Sequence, residues 1–145
     1  MGYDLRTLSD IAEIRRLNAR YNKVADNADA PAYAALFTED GVFELIGSAP
    51  VCGRIALEAM ALATTATIHV ATEPDIEVDG DSARQQVRML ILGARRDKSW
   101  NRLVTSGWYH DVLARMPDGW RYRHRRVELD LDLPIVRSEM MHARS

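Results

Sequence analysis

The stretch 67-TIHVATEPDIEV-78 decides how this chain is read. β-Branched residues dominate it, and the turn signal Asp79-Gly80-Asp81 closes it, so it reads as a β-strand entering a hairpin. Residues 83–94 read as the partner strand. His69 lies near the start of the first strand, in a run of apolar and small residues. An imidazole in such a place is either tucked against a partner or turned toward a pocket.

Working outward, residues 95–100 form a charged loop and residues 102–115 a further strand. Met116-Pro117-Asp118-Gly119 is a tight turn, residues 120–131 the last strand, and residues 132–145 a polar, loosely held tail. On the N-terminal side, Leu8, Ile11, Ile14, Leu17, Tyr21, Val24 and Ala25 recur at spacings of three and four. That periodicity predicts a helix over 7–26, with Asp10, Glu13, Arg16, Arg20 and Lys23 on its opposite side. Asn27 tolerates the left-handed conformation that ends a helix, and Asp29-Ala30-Pro31 starts a second, short one reaching Phe37. Thr38 to Gly41 is a turn, Val42 to Ile46 a short strand, Gly47 to Pro50 a loop, and residues 53–63 a third helix. Three helices followed by four long strands in meander give one α+β domain, with a core over about 7–131. Helices packed on one face of a curved antiparallel sheet make a cone, and its interior is a natural ligand cavity.

Composition bounds the function. The chain has 145 residues, 47% of them hydrophobic and 28% charged, which is the profile of one ordinary globular domain. A net charge of −2 gives no long-range pull toward nucleic acid or anionic membrane. The Arg121–Arg126 run is interrupted by Tyr122 and His124 and makes no basic stripe. Cys52 is the single cysteine, so no internal disulfide forms and a reducing compartment is expected. With no basic-then-apolar leader and no long apolar run, a cytoplasmic protein without membrane contact is expected. No H-x-H spacing, phosphate loop or serine elbow is present, so neither metal nor cofactor is expected.

The long first helix, the segment 35-ALFTEDGVFEL-45, Gly53-Arg54 opening the third helix, Val78-Asp79-Gly80-Asp81 and the Asp118-Gly119-Trp120 turn form a pattern. It resembles the SnoaL-like branch of the nuclear transport factor two-like superfamily, over about residues 7–130. The resemblance implies a cone-shaped α+β barrel. That cone hosts enzymes, binding proteins and assembly subunits, so fold alone does not give function. Tyr21, Asp26 and His69 fall where scytalone dehydratase and bile-acid 7α-dehydratase carry catalytic groups, and the Tyr-x4-Asp spacing matches the bile-acid enzyme. One departure stands out: both enzymes have a further polar residue near the end of the next strand, where this chain reads Ile91-Leu92-Gly93.

The chemistry of these residues suits elimination or isomerisation. Such reactions need a base for an activated C–H and an acid for the departing oxygen, and a histidine oriented by a carboxylate supplies both. His69 with Asp26 is that candidate pair, and Tyr21 is the candidate donor to a substrate oxygen. Each also has a plain structural reading, as a solvated helix-end carboxylate, a satisfied histidine and a core tyrosine. In the next-to-last strand, alternation groups Tyr109 with Asp111 and separates them from Trp108, His110 and Val112. In the last strand it groups Tyr122, His124, Arg126 and Glu128, opposite Arg121, Arg123 and Arg125. By analogy with ketosteroid isomerase of the same superfamily, Asp111, His124 and Arg126 face the pocket as substrate-binding groups, with His110 a further candidate; a bulge near the Met116–Gly119 turn would exchange the faces. The expected function is a cofactor-free dehydratase, isomerase or cyclase for a small hydrophobic cyclic molecule, steroid-like or polyketide-like. The alternative is a non-catalytic binding or assembly subunit resembling the β-subunit of ring-hydroxylating dioxygenases. An outer sheet face carrying Trp108, Val112 and the stems of Arg121, Arg123 and Arg125 points to a homodimer.

Overall fold

The computed structural model of the chain describes residues 2–63, 67–94 and 101–130. Helix α1 spans Leu5–Asp26 and is capped by Asp4, whose carboxylate accepts the Thr7 N–H at 2.7 Å. Its buried stripe is Asp10, Ile14, Leu17, Asn18 and Tyr21, so two polar residues share the core-facing side. Asp10, expected on the solvent side, is inside, whereas Leu8 is exposed. The helix ends at Asn27 in a right-handed conformation; the left-handed residue is the next one, Ala28, at φ 54°. Helix α2 spans Ala30–Ala35, with Asp29 capping it and Pro31 in its first turn, and α3 spans Arg54–Ala63.

Strand β1 runs Phe37–Leu45, longer than sequence suggests, because Thr38–Gly41 continues the strand through an irregular register instead of turning. A two-residue strand β2, Val51–Cys52, pairs with it; the exposed Cys52 lies there. The remaining strands are β3 (Thr67–Ala71), β4 (Asp75–Asp79), β5 (Ser82–Ala94), β6 (Asn101–Met116) and β7 (Gly119–Leu129). They form one sheet in the order β2-β1-β7-β6-β5-β3, with β4 also paired to β5. β1 joins β7 in parallel, and β5, β6 and β7 run as an antiparallel meander. The architecture is the expected α+β one: a curved, unclosed sheet with the N-terminal helices on its concave side. The expected loop 95–100 and tail 132–145 lie outside the described residues.

The expected single strand 67–78 is two strands, β3 and β4. Ala71 pairs with Met89, yet Asp75 pairs with Gln86, so β3–β4 carries one more residue than the facing stretch of β5. Pro74, which has no N–H to give a ladder, sits in that break, and Thr72 donates its N–H to the Arg88 carbonyl there. His69 and Ile76 are seven apart, so strict alternation would place them on opposite faces. The extra residue lets both point inward.

A second bulge does the same in β7. Leu113 pairs with Tyr122, but Val112 pairs with His124, which leaves Arg123 as the extra residue. Trp120 and Tyr122 before it and Arg125 and Val127 after it are all buried.

Helix α1 is pinned to the β6–β7 hairpin by Asp10. Its carboxylate takes both Arg115 terminal nitrogens, at 2.6 and 2.7 Å, and the Trp120 indole N–H at 3.2 Å. The hydrogen bonds from Arg115, first of all, hold the Asp10 carboxyl below its ordinary value of 3.8. Asp10→Asn should therefore cost about 1–3 kcal/mol of unfolding free energy, measured by urea denaturation at neutral pH. A lowered folded-state pKa means that this stability is complete above 3.8 and is lost as pH falls through the folded value. The gap between variant and wild type should accordingly close in acid; a gap independent of pH would exclude the ionised pair as its source.

Candidate functional site

A cavity lies between the concave face of the sheet and the helices. It is lined by Tyr21, Val24, Ala25, Ala28, Tyr33, Phe43, Met60, Ala61, Thr67, His69 and Ile91, and has a volume of about 60 Å³. Most of that wall is aliphatic or aromatic, and the polar side chains on it are Tyr21, Tyr33, Thr67 and His69. Helix α1 contributes its last two turns, α2 its middle, and β3 its inward-facing residues.

His69 and Asp26 meet directly. Asp26 Oδ1 lies 2.7 Å from His69 Nδ1 and accepts the His69 backbone N–H at 2.9 Å. A carboxylate oxygen only accepts, so Nδ1 carries the proton and, in the neutral ring, the lone pair sits on Nε2. The imidazole is one-tenth exposed and forms part of the cavity wall. Asp26 stands behind it, more exposed and off the cavity lining, so it acts on the cavity only through the ring. The residue facing His69 across the sheet is Ile91, so β5 supplies no polar partner at this point.

Tyr21 comes next along the wall. Its ring meets the His69 ring edge-on at 6.0 Å, and its hydroxyl lies 3.2 Å from that of Tyr33. Behind Tyr21 is a buried ion pair. Arg125 donates to Asp111 through Nε at 2.9 Å and through one terminal nitrogen at 2.7 Å, and both side chains are almost wholly buried. The guanidinium lies over the faces of Tyr21, Tyr109 and Tyr122 at 4.1, 3.9 and 4.2 Å. Gln85 donates to Asp111 and to Asn18, and Asn18 accepts from the Tyr122 hydroxyl at 2.6 Å.

Burial, the largest single influence, opposes the Arg125 charge, but the attraction and hydrogen bonds of Asp111 together with the neighbouring Tyr122 and Tyr21 outweigh it, and the guanidinium pKa is raised well above its ordinary value. Burial first, then the neighbouring Tyr21, pushes the Tyr33 and Tyr109 phenols well up; burial does the same to Tyr122. These phenols stay protonated at neutral pH, and Tyr122 donates to Asn18.

The other expected site residues are not at the cavity. Asp111 points inward as its alternation requires, but it is engaged by Arg125 and Gln85 and does not line the cavity. His110, His124 and Arg126 stand on the outer face, around a separate open concavity with Arg84 and Gln86. There His110 contacts Glu128 at 2.7 Å and His124 contacts Glu44 at 2.9 Å. The bulge at Arg123 is the reason: it sends His124 and Arg126 outward and brings Arg125, expected outside, into the core. Tyr33, Asn18 and Gln85 were not singled out by sequence; the spacing of Asn18 from Ile14 and Tyr21 was the available signal. Among the described residues, no group of three His, Cys, Asp or Glu side chains is placed to hold a metal ion, and no helix is long and apolar enough to cross a membrane.

Residues 6–126 match the model of a SnoaL-like domain. A protein of unknown function from Mycobacterium tuberculosis is 31% identical in a solved structure, with a TM-score of 0.80 over 90% of this chain and 77% of that one. An NTF2-like protein with a cystatin-like fold from Novosphingobium aromaticivorans is 27% identical, with a TM-score of 0.77 over 93% and 91%. A scytalone dehydratase-like protein from the same bacterium superposes with a TM-score of 0.75 over 86% and 87% at 19% identity, a likeness of fold alone.

The buried pair makes a stability prediction. Asp111→Asn preserves shape but leaves the Arg125 charge without its counter-ion in the core. It should cost about 3–5 kcal/mol in guanidinium unfolding, whereas a cost near zero would mean that the pair is hydrated in solution.

Proposed function

The chain belongs to the SnoaL-like domain family, and from that premise we propose that it is a cofactor-independent lyase or isomerase, dehydratase-like, for a small hydrophobic cyclic substrate of steroid or polyketide type. The observation that carries this reading is the 2.7 Å contact between Asp26 Oδ1 and His69 Nδ1, with the imidazole on the wall of an apolar cavity. His69 Nε2 takes a proton from the substrate carbon next to a carbonyl. The C–H electron pair becomes the new C=C bond, and the carbonyl π pair moves to its oxygen, which Tyr21 stabilises by donating a hydrogen bond. In dehydration, the oxyanion pair re-forms the carbonyl, the enolate C=C pair becomes the new double bond and expels the neighbouring hydroxyl, and that hydroxyl takes the proton from Nε2 to leave as water. In isomerisation, the carbonyl re-forms as the conjugated enolate pair takes the Nε2 proton at another carbon. Asp26 keeps Nδ1 protonated throughout and stabilises the imidazolium formed between the two transfers. The aliphatic wall from Val24, Ala25, Met60 and Ile91 suits a ring with few polar substituents.

The reading includes a homodimer and a cytoplasmic location. Val70, Leu90 and Trp108 are exposed on the outer sheet face, where Arg88 stacks on Trp108 at 5.0 Å. A second copy on this face would bury that apolar patch. Sedimentation at micromolar concentration checks it, and a monomer there would rule the dimer out.

Variants test the chemistry. His69→Ala should abolish turnover of an established cyclic substrate while leaving ligand binding within about tenfold, or ~1.4 kcal/mol. Asp26→Asn should be nearly as damaging to kcat, because the amide keeps the shape but loses the charge that supports the imidazolium. Tyr21→Phe should be milder. Full activity in His69→Ala would remove the catalytic assignment and leave a binding protein.

A further inference from the structure

We propose that Tyr33 is a second catalytic phenol, and that Tyr33 and Tyr21 together form a two-donor site for the oxyanion that develops on the substrate. This rests on the acid–base reading of His69 given above. Both tyrosines line the same cavity as His69, and their hydroxyl oxygens are 3.2 Å apart. A ligand oxygen resting against both is within hydrogen-bond reach of each.

A proton count explains why a pair matters. Two hydroxyls own two protons. While they bond to one another, one proton is used internally and one is left for a ligand. A neutral carbonyl oxygen meets that single donor. Once negative charge gathers on the oxygen, both protons can turn to it, because a hydrogen bond to an anion is stronger than one between two neutral hydroxyls. The stabilisation therefore grows as the reaction proceeds, which is the condition for raising kcat and not only affinity.

The fold holds both donors still. The Tyr21 ring is boxed by Arg125, Tyr109 and Tyr122, and the Tyr33 ring packs on Tyr21 at 5.2 Å and on Phe37 at 5.6 Å. Tyr33 is 4% exposed, and burial raises its pKa well above the ordinary value, so it keeps its proton at neutral pH. Asp111, which sequence suggested as a substrate-binding group, is committed to Arg125 and Gln85. Tyr33 fills the place that this leaves open.

The test uses 4-nitrophenol, whose ionised form is coloured, with 4-nitroanisole as a similar probe that cannot ionise. Wild type should bind the phenolate more tightly than the anisole. Tyr33→Phe keeps the ring packing and should lose about tenfold or more in phenolate affinity while holding the anisole within about twofold. The same loss should recur when Tyr33→Phe is added to His69→Ala, since phenolate binding involves no proton transfer to the imidazole. Unchanged phenolate affinity in Tyr33→Phe, or equal loss of both probes, would overturn the proposal. So would a wild type with no preference for the phenolate. Those results leave the His69–Asp26 assignment standing, because that assignment falls only if His69→Ala keeps its turnover.

Discussion

A guanidinium at the centre of a protein core sets the terms for everything around it. Arg125 is 1% exposed, and a charge so placed must find an opposite charge, donors' acceptors in its plane and something compatible on its faces. Asp111 provides the charge and the in-plane acceptors, and three tyrosine rings surround the rest. Gln85, Asn18 and Tyr122 then complete the carboxylate's bonds and each other's. Removing the pair for well-packed apolar residues would not by itself cost stability. Its use is directional: it fixes one face of Tyr21, and the other end of that ring carries the hydroxyl that reaches the cavity.

The same pair depends on a single extra residue in β7. Without the bulge at Arg123, continuous alternation from Tyr122 would send Arg125 outward and bring Arg126 in. The bulge between β3 and β4 plays the matching part on the other side of the sheet, where it lets His69 and Ile76 both face the core. The two bulges reverse side-chain direction in the strands that build the cavity's polar wall and its backing.

These bulges also mark where sequence became hard to read. Helix α1, the β5–β6–β7 meander and the turns at Asp79–Asp81 and Met116–Gly119 announce themselves by periodicity and turn chemistry. Tyr21, Asp26 and His69 were legible because they sit at element ends and carry a recognisable spacing. A one-residue bulge leaves no such mark: Arg123 looks like its neighbours, so His124 and Arg126 were assigned to the pocket and Arg125 to the surface. The Pro74 break was visible as a residue that cannot donate to a ladder, though not as a shift of register. Asp10 reads as part of the polar side of α1 by residue type and Asn18 draws no attention, although their spacing from Ile14 puts both on its buried stripe. Tyr33 sat in an alanine-rich short helix, and only the approach of α2 to α1 places its hydroxyl against that of Tyr21.

Asp26 has a consequence beyond the imidazole. Among the described residues, strand β3 lies at the end of the sheet and pairs only with β5, so its other side is an edge of the kind that can recruit further strands. The His69 N–H points to that open side, and the Asp26 carboxylate occupies it. One oxygen thus orients the ring and closes a donor on the free edge. The orientation of the imidazole on the cavity wall and the closing of that edge donor therefore depend on the same side chain.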